Sequence, residues 1–212
     1  MAGLTLCYHP LSSYCWKALI ALYEHGTPFT PVIVDLGNPE ESDALKRLWP
    51  MRKFPVLTDG ESIVPESTII IEYLDESARR LIPADVALAR ATRLADRIFD
   101  LYLHNPMQRL VGEHLRPADK KDPLGVEQAK ASIATALDML ETRMTDGRRW
   151  AMGESFTLAD CAALPALYYV NRLLPFGASH PKAAAYLGRL SARPSIARVL
   201  KEAEPYLKMF PA

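Results

Sequence analysis

The alternation of apolar and polar positions changes character near residue 80. Leu4-Thr5-Leu6-Cys7-Tyr8 is a short apolar run that reads as a strand, and His9-Pro10 breaks it. Ser12 suits the N-cap of a first helix, in which Trp16, Leu19, Ile20 and Tyr23 recur at helical spacing. Gly26 suits its C-terminal stop. Phe29-Thr30-Pro31-Val32-Ile33-Val34 predicts a second strand, and Pro31 favours an edge position because it cannot donate to a ladder. Residues 39–48 predict a short helix. Pro55-Val56-Leu57-Thr58 and Glu61-Ser62-Ile63-Val64 flank Asp59-Gly60, a hairpin signal that Pro65 ends. Ile69, Ile70, Tyr73 and Leu74 mark an amphipathic helix. The predicted order is β-α-β-α-β-β-α.

From Leu81 to Ala87 a Pro-containing segment reads as a linker. Beyond it the periodicity is almost wholly helical, over residues 86–115, 123–145, 157–173, 181–192 and 195–202. Pro106 is expected to kink or break the first of these. Pro123 and Pro181 suit first-turn positions. Thr157-Leu158-Ala159-Asp160 has the form of a capping box with Asp in place of Glu, and the small and apolar residues after it suit a central core helix. The fold class is therefore α+β, with an N-terminal domain over 1–80 and an all-helical domain over 88–212.

Composition narrows the function. The 212 residues are enough for one large domain or two small ones, and an apolar fraction of 49% is ordinary for a globular protein. Basic and acidic side chains balance at 25 each, so no strong field favours nucleic acid or an anionic membrane as partner. No apolar run approaches a membrane span, and the N-terminus lacks the pattern of a secretory signal. Cys7, Cys15 and Cys161 make an odd count without metal-type spacing. They read as reduced thiols of a cytoplasmic protein, and no metal cofactor is expected.

Ser12 carries a hydroxyl to the positive end of the first helix, a place that stabilises an anion. What that anion is follows from a resemblance. Ser12-Ser13-x-x-Trp16, Phe54-Pro55-Val56-Leu57, Glu66-Ser67 before Ile71-Glu72-Tyr73-Leu74, and Gly153-x-x-x-Thr157-x-Ala159-Asp160 occur in this order. Together they resemble the cytosolic glutathione transferases across essentially the whole chain. The resemblance implies a thioredoxin-like, glutathione-binding first domain and a helical second domain that carries the co-substrate site. The Ser-Ser-x-x-Trp start is similar to the zeta class, as are Trp49-Pro50-Met51-Arg52-Lys53-Phe54-Pro55, Asn105-Pro106-Met107-Gln108 and Arg172. Two positions depart from that class: Trp49 stands where Asn is commoner, and Tyr14 replaces a cysteine that here comes one position later, as Cys15.

Under this resemblance the anion is the glutathione thiolate. Lowering a thiol pKa by about two units takes roughly 2.7 kcal/mol. One hydrogen bond to a charged acceptor supplies roughly 1.5–3 kcal/mol, so a single hydroxyl suffices without a general base. Ser12 is the first candidate for that role, and Ser13, its neighbour, competes for it. Cys15 is a further rival, although a disulfide exchange would need a second thiol that the Ser-Ser-x-Cys arrangement lacks. The family implies a cis Pro55, with the Phe54 backbone pairing an extended peptide ligand. Glu66 suits the γ-glutamyl ammonium, and the Ser67 hydroxyl and N–H suit its carboxylate. Lys53 and Lys17 are candidates for the glycine carboxylate.

Asn105 would approach glutathione from the partner subunit of a homodimer. Arg172 would clamp an acidic second substrate. Tyr8, His9, Leu11, Met107, Leu110, Tyr168 and Tyr169 are candidates for the co-substrate wall. The expected activity is conjugation of the thiolate to a small electrophile. A glutathione-dependent cis–trans isomerase of the maleylacetoacetate type is the alternative if Arg172 lines the pocket. A non-catalytic binding protein of the same fold is a third, which retention of Ser12, Pro55, Glu66 and Ser67 disfavours.

Overall fold

The computed structural model describes residues 3–78 and 80–211. Strand β1 (Leu4–Tyr8) leads into helix α1 (Ser13–His25), then β2 (Phe29–Ile33), α2 (Pro39–Leu48), the hairpin β3 (Val56–Asp59) and β4 (Ser62–Pro65), and α3 (Ser67–Ala78). The sheet order is β2-β1-β3-β4, with β1 parallel to β2 and antiparallel to β3. Pro31 thus lies on an edge strand, where its missing N–H costs no ladder bond. The hairpin turn differs from the expected one by a position. Its two loop residues are Gly60 and Glu61, and the left-handed φ of 58° falls on the glycine.

The remainder is helical: α4 (Val86–Ile98), a π-helical turn (Phe99–His104), α5 (Asn105–Leu115), α6 (Pro123–Arg143), α7 (Leu158–Leu173), α8 (Pro181–Ser191), α9 (Pro194–Ala203) and a closing 3-10 turn (Glu204–Met209). The long helix expected over 86–115 is interrupted. Pro106 sits in the first turn of α5, and the stretch before it widens, with the Asn105 N–H reaching back five residues to the Asp100 carbonyl. A proline has no N–H to give the preceding turn, and a π-helical turn absorbs the mismatch. As a result Phe99, Asp100, Leu103 and His104 all turn inward.

One core runs through both halves. Trp16 is wholly buried, and its indole N–H donates to the Pro10 carbonyl at 2.6 Å. Helix α1 packs against α3 on one side and α7 on the other. Small residues let α7 be surrounded: Cys161, Ala162, Ala163 and Ala166 have no exposed surface. Its start is the expected capping box, in which the Asp160 carboxylate accepts from the Thr157 N–H and hydroxyl, the Ala151 N–H and the Tyr186 hydroxyl. Between the halves, Asp75 accepts the backbone N–H groups of Arg80, Leu81 and Ile82. That carboxylate fixes the path of the chain from α3 to α4. Among the described residues no helix is long and apolar enough to cross a membrane.

Candidate functional site

The Phe54–Pro55 peptide bond is cis, and Phe54 lies on the wall of two adjoining cavities. The first has a volume of about 530 Å³ and a charged lining that includes Arg52, Lys53, Glu66, Ser67, Arg97 and Asp100. The second, of about 320 Å³, is lined mainly by Leu11, Met107, Val111, Tyr169, Met209 and Phe210, with His9 and Ser13 among its polar groups. Ser12, Phe54 and Gln108 line both. A larger hollow of about 670 Å³, between β4, α3 and the start of α4, is lined by none of the candidate catalytic, glutathione-binding or co-substrate residues.

Ser12 is the N-cap of α1, and its Oγ accepts the Cys15 N–H at 3.4 Å. That bond uses a lone pair and leaves the O–H proton free to donate, with the helix N-terminus behind it. Ser13 is committed differently. It is buried, accepts from Gln108 Nε2 at 2.9 Å and is bonded to His104 Nε2. Burial, and then the neighbouring Lys17 charge, push the His104 pKa down to about 3, so this histidine is neutral. Cys15 has no exposed surface, and burial pushes its thiol up to about 12. A thiol held neutral is no nucleophile, which removes Cys15 from the catalytic candidates. Burial also raises the Cys7 and Cys161 thiols.

Glu66 has a left-handed φ of 70°, an outlier for a non-glycine residue, and its carbonyl accepts the Ile70 N–H as α3 begins. This turn sets the Ser67 N–H and hydroxyl at the head of the helix beside the first cavity. Lys53 is exposed at the cavity wall and makes no ion pair among the described residues. Arg52, with a φ of 52°, is paired to Asp43 at 2.9 Å. Asn105 lines the first cavity of its own chain, and its Oδ1 accepts the Tyr14 hydroxyl at 2.7 Å. Tyr14 also stacks on His104, at 3.9 Å between ring centroids.

Several expected site residues lie elsewhere. Lys17 cannot meet a ligand carboxylate. Its ammonium has no exposed surface and is held by Asp96 at 2.5 Å, Asp100 at 2.8 Å and the Thr68 hydroxyl at 2.7 Å. Burial raises the Asp100 pKa, and the Lys17 charge opposes the rise. Tyr8 is buried under the sheet, Leu110 belongs to the helical core, and Tyr168 packs on Trp16 at 5.1 Å; none lines either cavity. Arg172 places its guanidinium 5.6 Å from the Phe210 ring centroid, outside both linings. In turn, the wall residues Val111, Leu115, Met209, Phe210 and Pro211, and the ion pair of Arg97 with Asp100, had no signal in the sequence. The tail reaches the cavity because Phe210 packs on Tyr169, whose hydroxyl donates to the Leu11 carbonyl at 2.7 Å.

The arrangement offers one compartment for a small zwitterionic molecule bearing carboxylates and an ammonium, one for an apolar molecule, and a hydroxyl donor between them. Comparison with known proteins matches both halves of the chain. The glutathione S-transferase N-terminal domain family matches residues 6–80, and the corresponding C-terminal domain family matches residues 123–201. Glutathione S-transferase F6 of Arabidopsis thaliana is 29% identical over 217 residues, spanning 94% of this chain and 100% of that protein. A maleylpyruvate isomerase of a Ralstonia species is 30% identical over 160 residues, spanning 72% of this chain and 76% of that one. The crystal structure of a glutathione S-transferase from Methylobacillus flagellatus, with GSH bound, superposes with a TM-score of 0.86 at 26% identity, covering 93% of this chain and 98% of that chain. Both halves are matched in their order along the sequence, and the chain belongs to the glutathione S-transferase family.

Proposed function

We propose that the protein is a glutathione transferase that joins the glutathione thiolate to a small electrophile. The observation that carries this reading is the position of the Ser12 hydroxyl, on the wall shared by the charged cavity and the apolar one. Glutathione occupies the first cavity. Glu66 faces its γ-glutamyl ammonium, and the Ser67 hydroxyl and the start of α3 take the adjoining carboxylate. Lys53 takes the glycine carboxylate, and the Phe54 backbone pairs the cysteinyl segment in the manner of an added strand. The sulfur then lies at Ser12, which donates to it and favours the thiolate over the thiol. The electrophile enters the second cavity and is attacked across the shared wall. Within the family, Ser12-Ser13-x-x-Trp16 favours a zeta-like relationship. A domain division at the linker after residue 80 and a cytoplasmic setting for the buried free thiols Cys7, Cys15 and Cys161 complete the reading.

Calorimetric titration of the purified protein with glutathione tests it. The expected result is saturable heat with a dissociation constant in the micromolar to low millimolar range, about −8 to −4 kcal/mol. No heat at millimolar glutathione would overturn the enzyme reading.

The similarity to a maleylpyruvate isomerase supports a second reading, a glutathione-dependent cis–trans isomerase. Its acidic substrate would need a cation in the second cavity, and Arg172 would have to leave Phe210 to supply one.

We also propose a homodimer. Leu94 is 60% exposed, Tyr102 52% and Ile69 52%, so α3, α4 and the π-helical turn present apolar side chains to solvent, with Ile69 lining the hollow of about 670 Å³. Asn105 reaches the first cavity within its own chain, so its part in glutathione binding no longer depends on the partner. Sedimentation at micromolar concentration should give twice the chain mass. A monomer, with and without glutathione, would end the dimer proposal and leave the site unaffected.

A further inference from the structure

His9 lies between the Phe54 ring, stacked at 6.1 Å, and the Tyr206 ring, edge-on at 5.5 Å, and it lines the apolar cavity. Its Nδ1 accepts the Leu11 N–H at 3.2 Å. An Nδ1 engaged as acceptor puts the single proton of a neutral imidazole on Nε2. Burial lowers the His9 pKa, against the opposing charge of Asp35, so the ring stays neutral at neutral pH. Nε2 makes no hydrogen bond among the described residues. The described lining of this cavity contains no Lys, Arg, Asp or Glu. The cavity therefore combines apolar walls, no formal charge, and an N–H donor of fixed tautomer with no partner.

We infer that His9 is a catalytic residue of the second cavity, donating from Nε2 to the carbonyl oxygen of an uncharged α,β-unsaturated carbonyl compound while the glutathione thiolate adds to its β-carbon. This rests on the transferase reading and names its substrate class. A carbon–sulfur bond forms at the β-carbon, and the alkene electron pair shifts to place negative charge on the carbonyl oxygen. The Nε2–H bond strengthens as that charge develops, which is how a fixed donor lowers a barrier. Water then returns a proton to the α-carbon, replacing the one lost when the thiol ionised. Nothing is oxidised or reduced, and no group leaves. An electrophile without an acceptor oxygen, such as an alkyl halide whose halide the sulfur displaces, gains nothing from His9.

The test is steady-state conjugation of glutathione to benzylideneacetone and to benzyl chloride, by the wild-type chain, His9→Asn and His9→Gln. The asparagine oxygen can keep the Leu11 N–H bond but supplies no donor at the Nε2 position, whereas the glutamine amide restores one. His9→Asn should lower kcat on the enone by about tenfold or more with little change in KM, as for loss of one hydrogen bond to a charged acceptor. The loss on the enone should exceed any loss on benzyl chloride by about fivefold or more, since the halide substrate has no carbonyl oxygen for the donor to meet, and His9→Gln should recover much of the enone rate. Equal losses on both substrates, or no loss on the enone, would overturn the role of His9 while leaving the transferase reading in place. Wild-type turnover of benzyl chloride alone would overturn the substrate class. A wild-type chain that conjugates neither substrate would overturn the transferase reading itself.

Discussion

Ser12→Ala should lower kcat for conjugation by about 10- to 100-fold while glutathione affinity changes by no more than about threefold, as expected for loss of one hydrogen bond to a charged acceptor. The split follows from geometry. Ser12 lines both cavities, while Lys53, Glu66 and Ser67, which would hold the peptide, line the first and not the second. Removing the hydroxyl leaves those contacts and withdraws only the donor aimed at sulfur. The bound thiol then returns toward its free pKa, and less of it is ionised at neutral pH. The same substitution deletes the N-cap bond to the Cys15 N–H, which at 3.4 Å is a weak one, so stability should fall by about 1 kcal/mol or less. Kinetics and glutathione binding measured on one folded preparation check both halves of the prediction. A large loss of affinity with kcat unchanged would make Ser12 a binding residue. An unchanged kcat and affinity would pass the thiolate to the neighbouring Ser13.

Lys17→Met should destabilise the fold by about 3–5 kcal/mol, the usual cost of stripping the partner from a buried charge. Lys17 is the cation inside a closed set of groups. Asp96 and Asp100 converge on it, Thr68 accepts from it, and Arg97 joins the same carboxylates from the cavity side. Methionine keeps the volume and removes the charge, leaving two carboxylates buried with one partly exposed arginine between them. The network also ties the start of α3 to α4, so Ser67 should lose its fixed position and glutathione affinity should fall with stability. Urea unfolding with and without glutathione would measure both. A loss under about 1 kcal/mol would mean that water or Arg97 compensates the pair of aspartates.

The two residues also mark what could be read from the sequence. Ser12 was legible because a cap, a helix and a preceding turn are local, and every cue lies within a few positions. The hairpin, the edge proline, the capping box at Thr157–Asp160 and the cis proline were legible for the same reason, or through the resemblance. Lys17, on the same helix, was a candidate for the glycine carboxylate. Its bond to Asp100 spans 83 positions, and nothing near Lys17 announces it. Asp100 itself turns inward only because the chain forms a π-helical turn ahead of Pro106; the proline foretold a break but not its form. Tyr8, on a strand, and Leu110 and Tyr168, on helices, were placed on the co-substrate wall because apolar residues of a regular element look alike whether they face a core or a cavity. Phe210 was missed because a tail after the last helix carries no periodicity at all. It finds its place through Tyr169, on the central helix, and covers the second cavity from there.

The proposed division of labour between the cavities rests on a single property, the ionisation of glutathione beside Ser12. Ultraviolet difference titration of the thiolate in the wild-type complex measures it directly. The account predicts a bound thiol that ionises about two units below the free thiol value of roughly 8.5, and that moves back up in Ser12→Ala. A bound thiol that titrates at its free value in the wild-type protein would contradict it.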